Sequence, residues 1–200
     1  MEHPGSAADI TTLLQLSGAG DLIAYEQLYR RVYDELRVLA RSYLRSERDN
    51  TMPATALVHE AWLRLTNQRM PPQNRGQFFG LAAQAMRRIM VDDARARRTN
   101  KRQGTVITLD DAPEAESERL DLLIAVDEAV NELAKVAPRQ AQVVELRWFA
   151  DLEVEDVAET LGISKATVKR EWRAARAWLH RALATNDRAN EPSEASGPRE

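Results

Sequence analysis

Apolar residues recur at helical spacing along four stretches of the first half of the chain, residues 10–16, 22–45, 55–67 and 77–98, and along most of residues 118–184. The stretch between the halves differs. From residue 100 to 117 the periodicity stops: Gly104 and Pro113 interrupt it, and the one β-prone run there, residues 105–109, is short. Nothing strand-rich, repetitive or of low complexity occurs elsewhere. The pattern therefore predicts an all-α protein of two small helical domains joined by a flexible linker. The expected divisions are a disordered N-terminus (1–8), a first helical domain (9–100), a linker (101–119), a second helical domain (120–185) and a polar disordered tail (186–200).

Within the second domain, residues 154–183 carry a more specific pattern. Val157, Ala158, Leu161 and Ile163 form an apolar stripe, Gly162 ends that helix where positive φ is needed, and Ser164 is a good N-cap for the helix that follows. In that next helix Val168, Ala175 and Leu179 recur on a face able to pack inward, while Lys165, Thr167, Lys169, Arg170, Arg173 and Arg176 carry its polar side. A helix-turn-helix sets the N-terminal half of its second helix in the major groove, so Lys165, Thr167, Lys169 and Arg170 are placed to touch DNA first. Arg and Lys match guanine O6 and N7, and Thr offers a methyl or a hydroxyl. The competing explanation is an ordinary αα-hairpin with a solvated basic face.

Composition excludes more than it assigns. The 200 residues are 44% hydrophobic and 30% charged, and none is cysteine, which removes disulfides and thiolate metal sites. No apolar run approaches the roughly 18 residues of a membrane span, and the N-terminal residues lack the pattern of a signal peptide, so a cytoplasmic location without membrane contact is expected. His3, His59 and His180 are dispersed, and no phosphate loop, dinucleotide fingerprint or nucleophile elbow is present, so neither an enzyme, a metal nor a cofactor is expected. Trp62, Trp148, Trp172 and Trp178 read as packing residues. The formal net charge of −3 conceals strong segregation. Residues 69–102 carry nine Arg or Lys against Asp92 and Asp93, and residues 110–132 carry nine acids against Arg119 alone. An acidic joint is expected between two basic surfaces.

Two stretches in the first half, with the helix-turn-helix, carry a family resemblance. Ala54-Thr55-Ala56-Leu57-Val58-His59-Glu60-Ala61-Trp62-Leu63-Arg64-Leu65 resembles the second conserved helix of extracytoplasmic-function (ECF) sigma factors of bacterial RNA polymerase. Residues 78–98, ending Met90-Val91-Asp92-Asp93-Ala94-Arg95-Ala96-Arg97-Arg98, are similar to that group's helix for the −10 promoter element. Pro138-Arg139-Gln140, Leu146-Arg147 and the turn around Gly162 are similar to its −35-reading domain. The resemblance spans roughly residues 10–184, in the family's order. It implies a factor that binds core RNA polymerase, through the β-prime coiled-coil and the β flap, and directs it to promoter DNA. Lys165, Thr167, Lys169, Arg170, Arg173 and Arg176 would contact the −35 element. Arg87, Arg88, Arg95, Arg97 and Arg98 would hold −10 phosphates, and Asn67, Gln68 and Asn74 the edge of an extruded base. Thr55, Leu57, His59, Glu60 and Trp62 fall on the polymerase-docking helix. An anti-sigma factor is a further partner class that the resemblance allows.

The chain departs from the family at one place. Where relatives open the docking helix with an acidic cluster, this chain has Pro53-Ala54-Thr55-Ala56, and Glu60 follows a turn later. A phosphate on Thr51 or Thr55 would restore about −1.5 to −2 of charge beside the positive end of a helix, which implies activation by a Ser/Thr protein kinase, as the resemblance also suggests for sigma factors lacking these acids. The simpler explanation makes Thr55 the helix N-cap and Thr51 an ordinary loop residue. For the chain as a whole the alternative is a conventional helix-turn-helix regulator that never acts as a sigma subunit, which would carry a dimerisation or ligand domain and read palindromic sites.

Overall fold

The computed structural model describes residues 9–44, 52–66, 72–102 and 114–190, with side chains described to residue 99 in the third segment and over 118–185 in the fourth. Among these residues every regular element is helical: α1 (Ile10–Gly18), α2 (Leu22–Leu44), α3 (Ala54–Thr66), α4 (Arg75–Arg102), α5 (Glu114–Val136), α6 (Pro138–Val144), a π-helical turn (Glu145–Phe149), α7 (Val154–Leu161) and α8 (Lys165–Asn190). None of these helices is long and apolar enough to cross a membrane.

Local chemistry sets several of the boundaries. Gly20, at φ +93°, turns the chain out of α1, and the carboxylate of Asp21 accepts from the N–H groups of Ile23 (2.8 Å) and Ala24 (3.1 Å), capping α2. The carbonyl of Pro53 accepts from Ala56 and Leu57 at the start of α3. Pro138 stands in the first turn of α6, where its missing N–H costs nothing. The expected linker is much shorter than its sequence suggests, because α4 runs on to Arg102 and α5 already begins at Glu114. The backbone is helical from Glu114 on although the sequence there is acidic and lacks apolar periodicity. The β-prone run at 105–109 and residues 1–8 lie outside the described residues, as does the tail beyond Asn190; α8 reaches five residues into the expected tail.

Helix α4 is central because it is apolar around most of its circumference. Phe78, Phe79, Ala82, Ala83, Ala85, Met86, Ile89 and Met90 are all buried, so the helix must be covered on more than one side. One side takes α2 and α3 through Val32, Leu36, Leu57, Val58, Ala61 and Trp62. The other takes the π-helical turn, α7 and α5, and the core continues without interruption into Val143, Leu146, Leu152, Val157 and Val168. Two glycines make that approach close. A Cβ on Gly80 would lie 2.6 Å from a methyl of Leu146, and one on Gly76 would lie 2.9 Å from the Cβ of Thr160. The two helical halves thus pack directly on each other, where the sequence predicts two domains separated by a linker. A second cluster, Ala129, Val130, Leu133, Ala141, Val144, Ala175 and Leu179, joins α5 to α6 and α8. Leu133 is fully buried there. Leu133→Ala should cost about 2–5 kcal/mol in urea unfolding, whereas Leu122→Ala, on the exposed side of α5, should stay within about 0.5 kcal/mol.

Candidate nucleic-acid interface

The turn between α7 and α8 is built as its residues predict. Gly162 adopts φ +62°, its N–H reaches the carbonyl of Glu159 (3.2 Å), and the N–H of Ile163 reaches Ala158 (3.0 Å), satisfying two carbonyls that the end of α7 would leave open. Ser164 Oγ then accepts from the Thr167 N–H at 3.1 Å and caps α8. Val168, Ala175 and Leu179 point inward, all less than 4% exposed. That rotation of α8 leaves Lys165, Lys169, Arg170, Arg173 and Arg176 exposed on one side. Thr167 is half-buried, with Oγ1 2.9 Å from Ser164 Oγ, so its hydroxyl is engaged in the turn.

Each exposed cation has a local context. Lys165 Nζ lies 2.7 Å from Glu155 on α7, and this hydrogen bond holds the Glu155 carboxyl below its ordinary range. Arg170 pairs with the neighbouring Glu171 at 3.0 Å, and Arg176 lies 5.9 Å from the Trp172 ring centroid. Such exposed pairs are worth little in water, so these side chains can be redirected to a phosphate or a base at small cost. Trp148 is 51% exposed and lines a groove with Lys169, Trp172, Arg173, Arg176 and His180. Its reading as a packing residue is corrected accordingly: it follows Arg147 in the π-helical turn, where helical periodicity no longer assigns faces.

The basic stretch of α4 is arranged differently from the expectation. Arg87 is 1% exposed, with its guanidinium bonded to Asp127 of α5 and to Glu145 of the π-helical turn, 5.0 Å from the Phe149 ring centroid. It holds no accessible position for a phosphate in this conformation. Burial raises the Glu145 carboxyl above its ordinary pKa, against the downward pull of Arg87. Arg95 faces Glu128 (3.4 Å) and Asp127 (3.9 Å), Arg98 faces Asp121 (3.3 Å), and Arg97 pairs with Asp93 one turn back (2.9 Å). Arg88 is exposed beside Gln84, Asn131 and Gln142, at a cavity of about 720 Å³ between the two halves. The acidic joint does not lie between two basic surfaces; it is folded onto one of them. Sequence reading missed Asp127 and Glu145, although Asp127 stands in helical register with the buried Ile124 and Val130, a position where an acid signals a buried partner.

Asn74 caps α4, its amide oxygen accepting from the Gln77 N–H at 2.8 Å, so that oxygen is committed to the helix rather than presented to a base. Asn67 and Gln68 lie outside the described residues, as does Thr51. On α3, Leu57 is fully buried and Trp62 is 6% exposed, with Trp62 packed against Tyr25, Tyr29 and Phe78. Both belong to the core, which corrects their assignment to a docking surface. Thr55, His59 and Glu60 are exposed; His59 lies 3.5 Å from the Tyr29 hydroxyl and Glu60 pairs with Arg64 at 3.3 Å. Thr55 is the second residue of α3 rather than the residue before it, so it is not the N-cap. No acidic side chain stands in the first turn of α3.

This order of parts, a bundle with a long basic helix followed by a helix-turn-helix, matches the family model described as ECF sigma factor over residues 7–185. The chain belongs to the ECF sigma factor family. No curated protein matches it. As a family member it binds core RNA polymerase and promoter DNA and directs transcription as an alternative sigma factor. The turn that presents α8 is open to direct test: Ser164→Ala should lower unfolding free energy by about 1 kcal/mol in urea titration, because it leaves an N–H at the start of α8 without its acceptor.

Proposed function

We propose that this sigma factor reads the −35 element with Lys165, Lys169, Arg170, Arg173 and Arg176 of α8. Thr167 positions the turn and offers its methyl group. The observation that carries this reading is the rotation of α8, whose buried Val168, Ala175 and Leu179 turn the basic residues together toward solvent at the end of a capped turn. Arg88, Arg95, Arg97 and Arg98 of α4 serve the −10 phosphates, with Asn67, Gln68 and the amide of Asn74 near the extruded base. The β flap engages the second half of the chain and the β-prime coiled-coil engages α3 through Thr55, His59 and Glu60. The polymerase supplies the chemistry.

Docking on α3 is proposed to be under the control of a Ser/Thr protein kinase. An exposed Thr55 in a first turn that lacks acids supports this, since a phosphate there faces the free N–H groups of α3 and supplies negative charge to a basic partner. Thr51, favoured by the sequence because it precedes the helix, is the other candidate acceptor and lies outside the described residues. An anti-sigma factor would act beside this control rather than in place of it.

Run-off transcription with purified core enzyme tests the promoter reading. Lys169→Ala with Arg170→Ala should reduce initiation at a cognate promoter about tenfold or more and lower the log–log salt slope of duplex binding by about 2. Unchanged initiation would remove α8 from promoter reading. For the kinase, Thr51→Ala and Thr55→Ala are compared with the parent in cells under inducing conditions. One of the two should lose activation of the dependent promoter and core binding, and parental activity in both would overturn the switch.

A further inference from the structure

The seam where α4 meets α5, α6, the π-helical turn and the end of α7 encloses a cavity of about 720 Å³, within the size range of sites that take small molecules. Its lining is unlike the apolar core around it. Five carboxamides, from Gln73, Gln77, Gln84, Asn131 and Gln142, converge there with one cation, Arg88, and one carboxylate, Glu145. Leu81, Leu146 and Leu161 supply apolar wall. No aromatic ring is among these lining residues, so a nucleobase or a sugar ring has nothing to stack on.

Several of these groups have hydrogen-bonding capacity left over. Glu145 gives one oxygen to Arg87, while its other oxygen, Oε2, is buried and makes no hydrogen bond among the described residues. An acceptor in that state costs free energy until a donor reaches it. Burial raises the Glu145 carboxyl above its ordinary range even against the pull of Arg87, Arg88 and Gln84, so its charge is undercompensated. The amide oxygen of Gln77 accepts from the Gln73 N–H at 2.9 Å, which leaves the Gln77 NH2 to donate. Asn131 donates an N–H to Asp127 at 3.0 Å, which leaves its amide oxygen to accept. Arg88 is exposed and is the one cation among the described lining residues.

A matching ligand brings an N–H cation for Glu145, an oxyanion for Arg88 and, between them, groups that both donate and accept. A short peptide with free ends has that pattern. Its ammonium and carboxylate supply the charges, and its peptide bonds pair with carboxamides, which carry the same donor and acceptor. We propose that the cavity binds a zwitterionic peptide of about two or three residues, its ammonium on Glu145 Oε2, its carboxylate on Arg88 and its side chains against Leu81, Leu146 and Leu161. Both halves of the chain contribute to the lining, so occupancy stabilises the fold as a whole by mass action. The site stands independently of the promoter reading.

Calorimetric titration and thermal melting of the full chain test it with glycyl-leucine, glycyl-glycyl-leucine, and the N-acetylated and C-amidated forms of whichever binds more tightly. The free peptides should raise the melting temperature increasingly with concentration, as a ligand of the folded state alone must. Capping either terminus should weaken binding about tenfold or more. Arg88→Gln should weaken the free peptide about tenfold and leave the amidated one unchanged, because the carboxylate that Arg88 meets is already gone. Ala134→Trp fills the cavity from α5 and should abolish binding. Both substitutions stand at exposed positions, and melting without peptide checks that the fold is retained. Arg88 is also proposed to meet −10 phosphates, so these variants are read by peptide binding and not by transcription.

No melting shift with either free peptide at about 10 mM, enough to reveal a Kd of about 1 mM, would overturn the proposal. So would equal binding of free and capped forms, since the two charges then contribute nothing. Binding that survives Ala134→Trp would place the peptide elsewhere and sink the site. An equal loss on free and amidated peptide in Arg88→Gln would take Arg88 off the carboxylate.

Discussion

A guanidinium that is 1% exposed cannot be left without counter-charge, and the way Arg87 meets that requirement organises the molecule. Its partners come from two different elements, Asp127 on α5 and Glu145 on the π-helical turn, and the Phe149 ring covers its face. A helix bearing such a residue can pack against α5 and the turn in essentially one register, because a shift by one residue would strand a buried charge. Apolar contacts supply most of the attraction across the seam. They are non-directional, and it is the ionic cluster that distinguishes one packing from another. Replacing a buried ion pair with apolar residues is often neutral or stabilising, so the cluster is better understood as a device for specificity than as a source of stability.

The backbone around Arg87 is shaped to the same end. Five residues of π-helix carry the chain on from α6, and along them Glu145 meets Arg87, Leu146 lies against Gly80 and Phe149 stacks beside Tyr43. Gly76 and Gly80 contribute from the other side by letting α4 come within contact of Thr160 and Leu146. Tyr43, whose hydroxyl lies 3.1 Å from the Ala83 carbonyl and 3.2 Å from that of Phe149, ties α2 to both sides of the seam. Burial and the neighbouring Glu145 both push its phenol well above the ordinary range, so it remains a neutral donor.

The elements whose identity depends on local chemistry were legible in the residues. Helices with a regular apolar stripe, the Gly162 turn and the Ser164 cap follow from spacing and side-chain type alone, and the family resemblance rests on those same segments. What the sequence concealed are the places where a tertiary partner reverses a residue's usual meaning. Arg87 stands in a basic run and reads as solvated. Only the acid at Asp127, in register with Ile124 and Val130, hints that it is not. Leu57 and Trp62 lie within a family motif for docking, but a motif does not say which face of its helix is outside. The stretch read as a linker is acidic and lacks apolar periodicity, the signal from which a helix is read, although the backbone is helical from Glu114 on.

Charge segregation takes on a different significance once the seam is considered. A DNA-binding protein of net charge −3 needs its basic residues concentrated, and concentration alone would leave the free chain prone to bind any nucleic acid nonspecifically. In the folded chain the basic helix packs against an acidic one, so its arginines meet carboxylates of the same chain. The first turn of α3 carries no acid, whereas the arginines of α4 meet carboxylates of α5 and the π-helical turn.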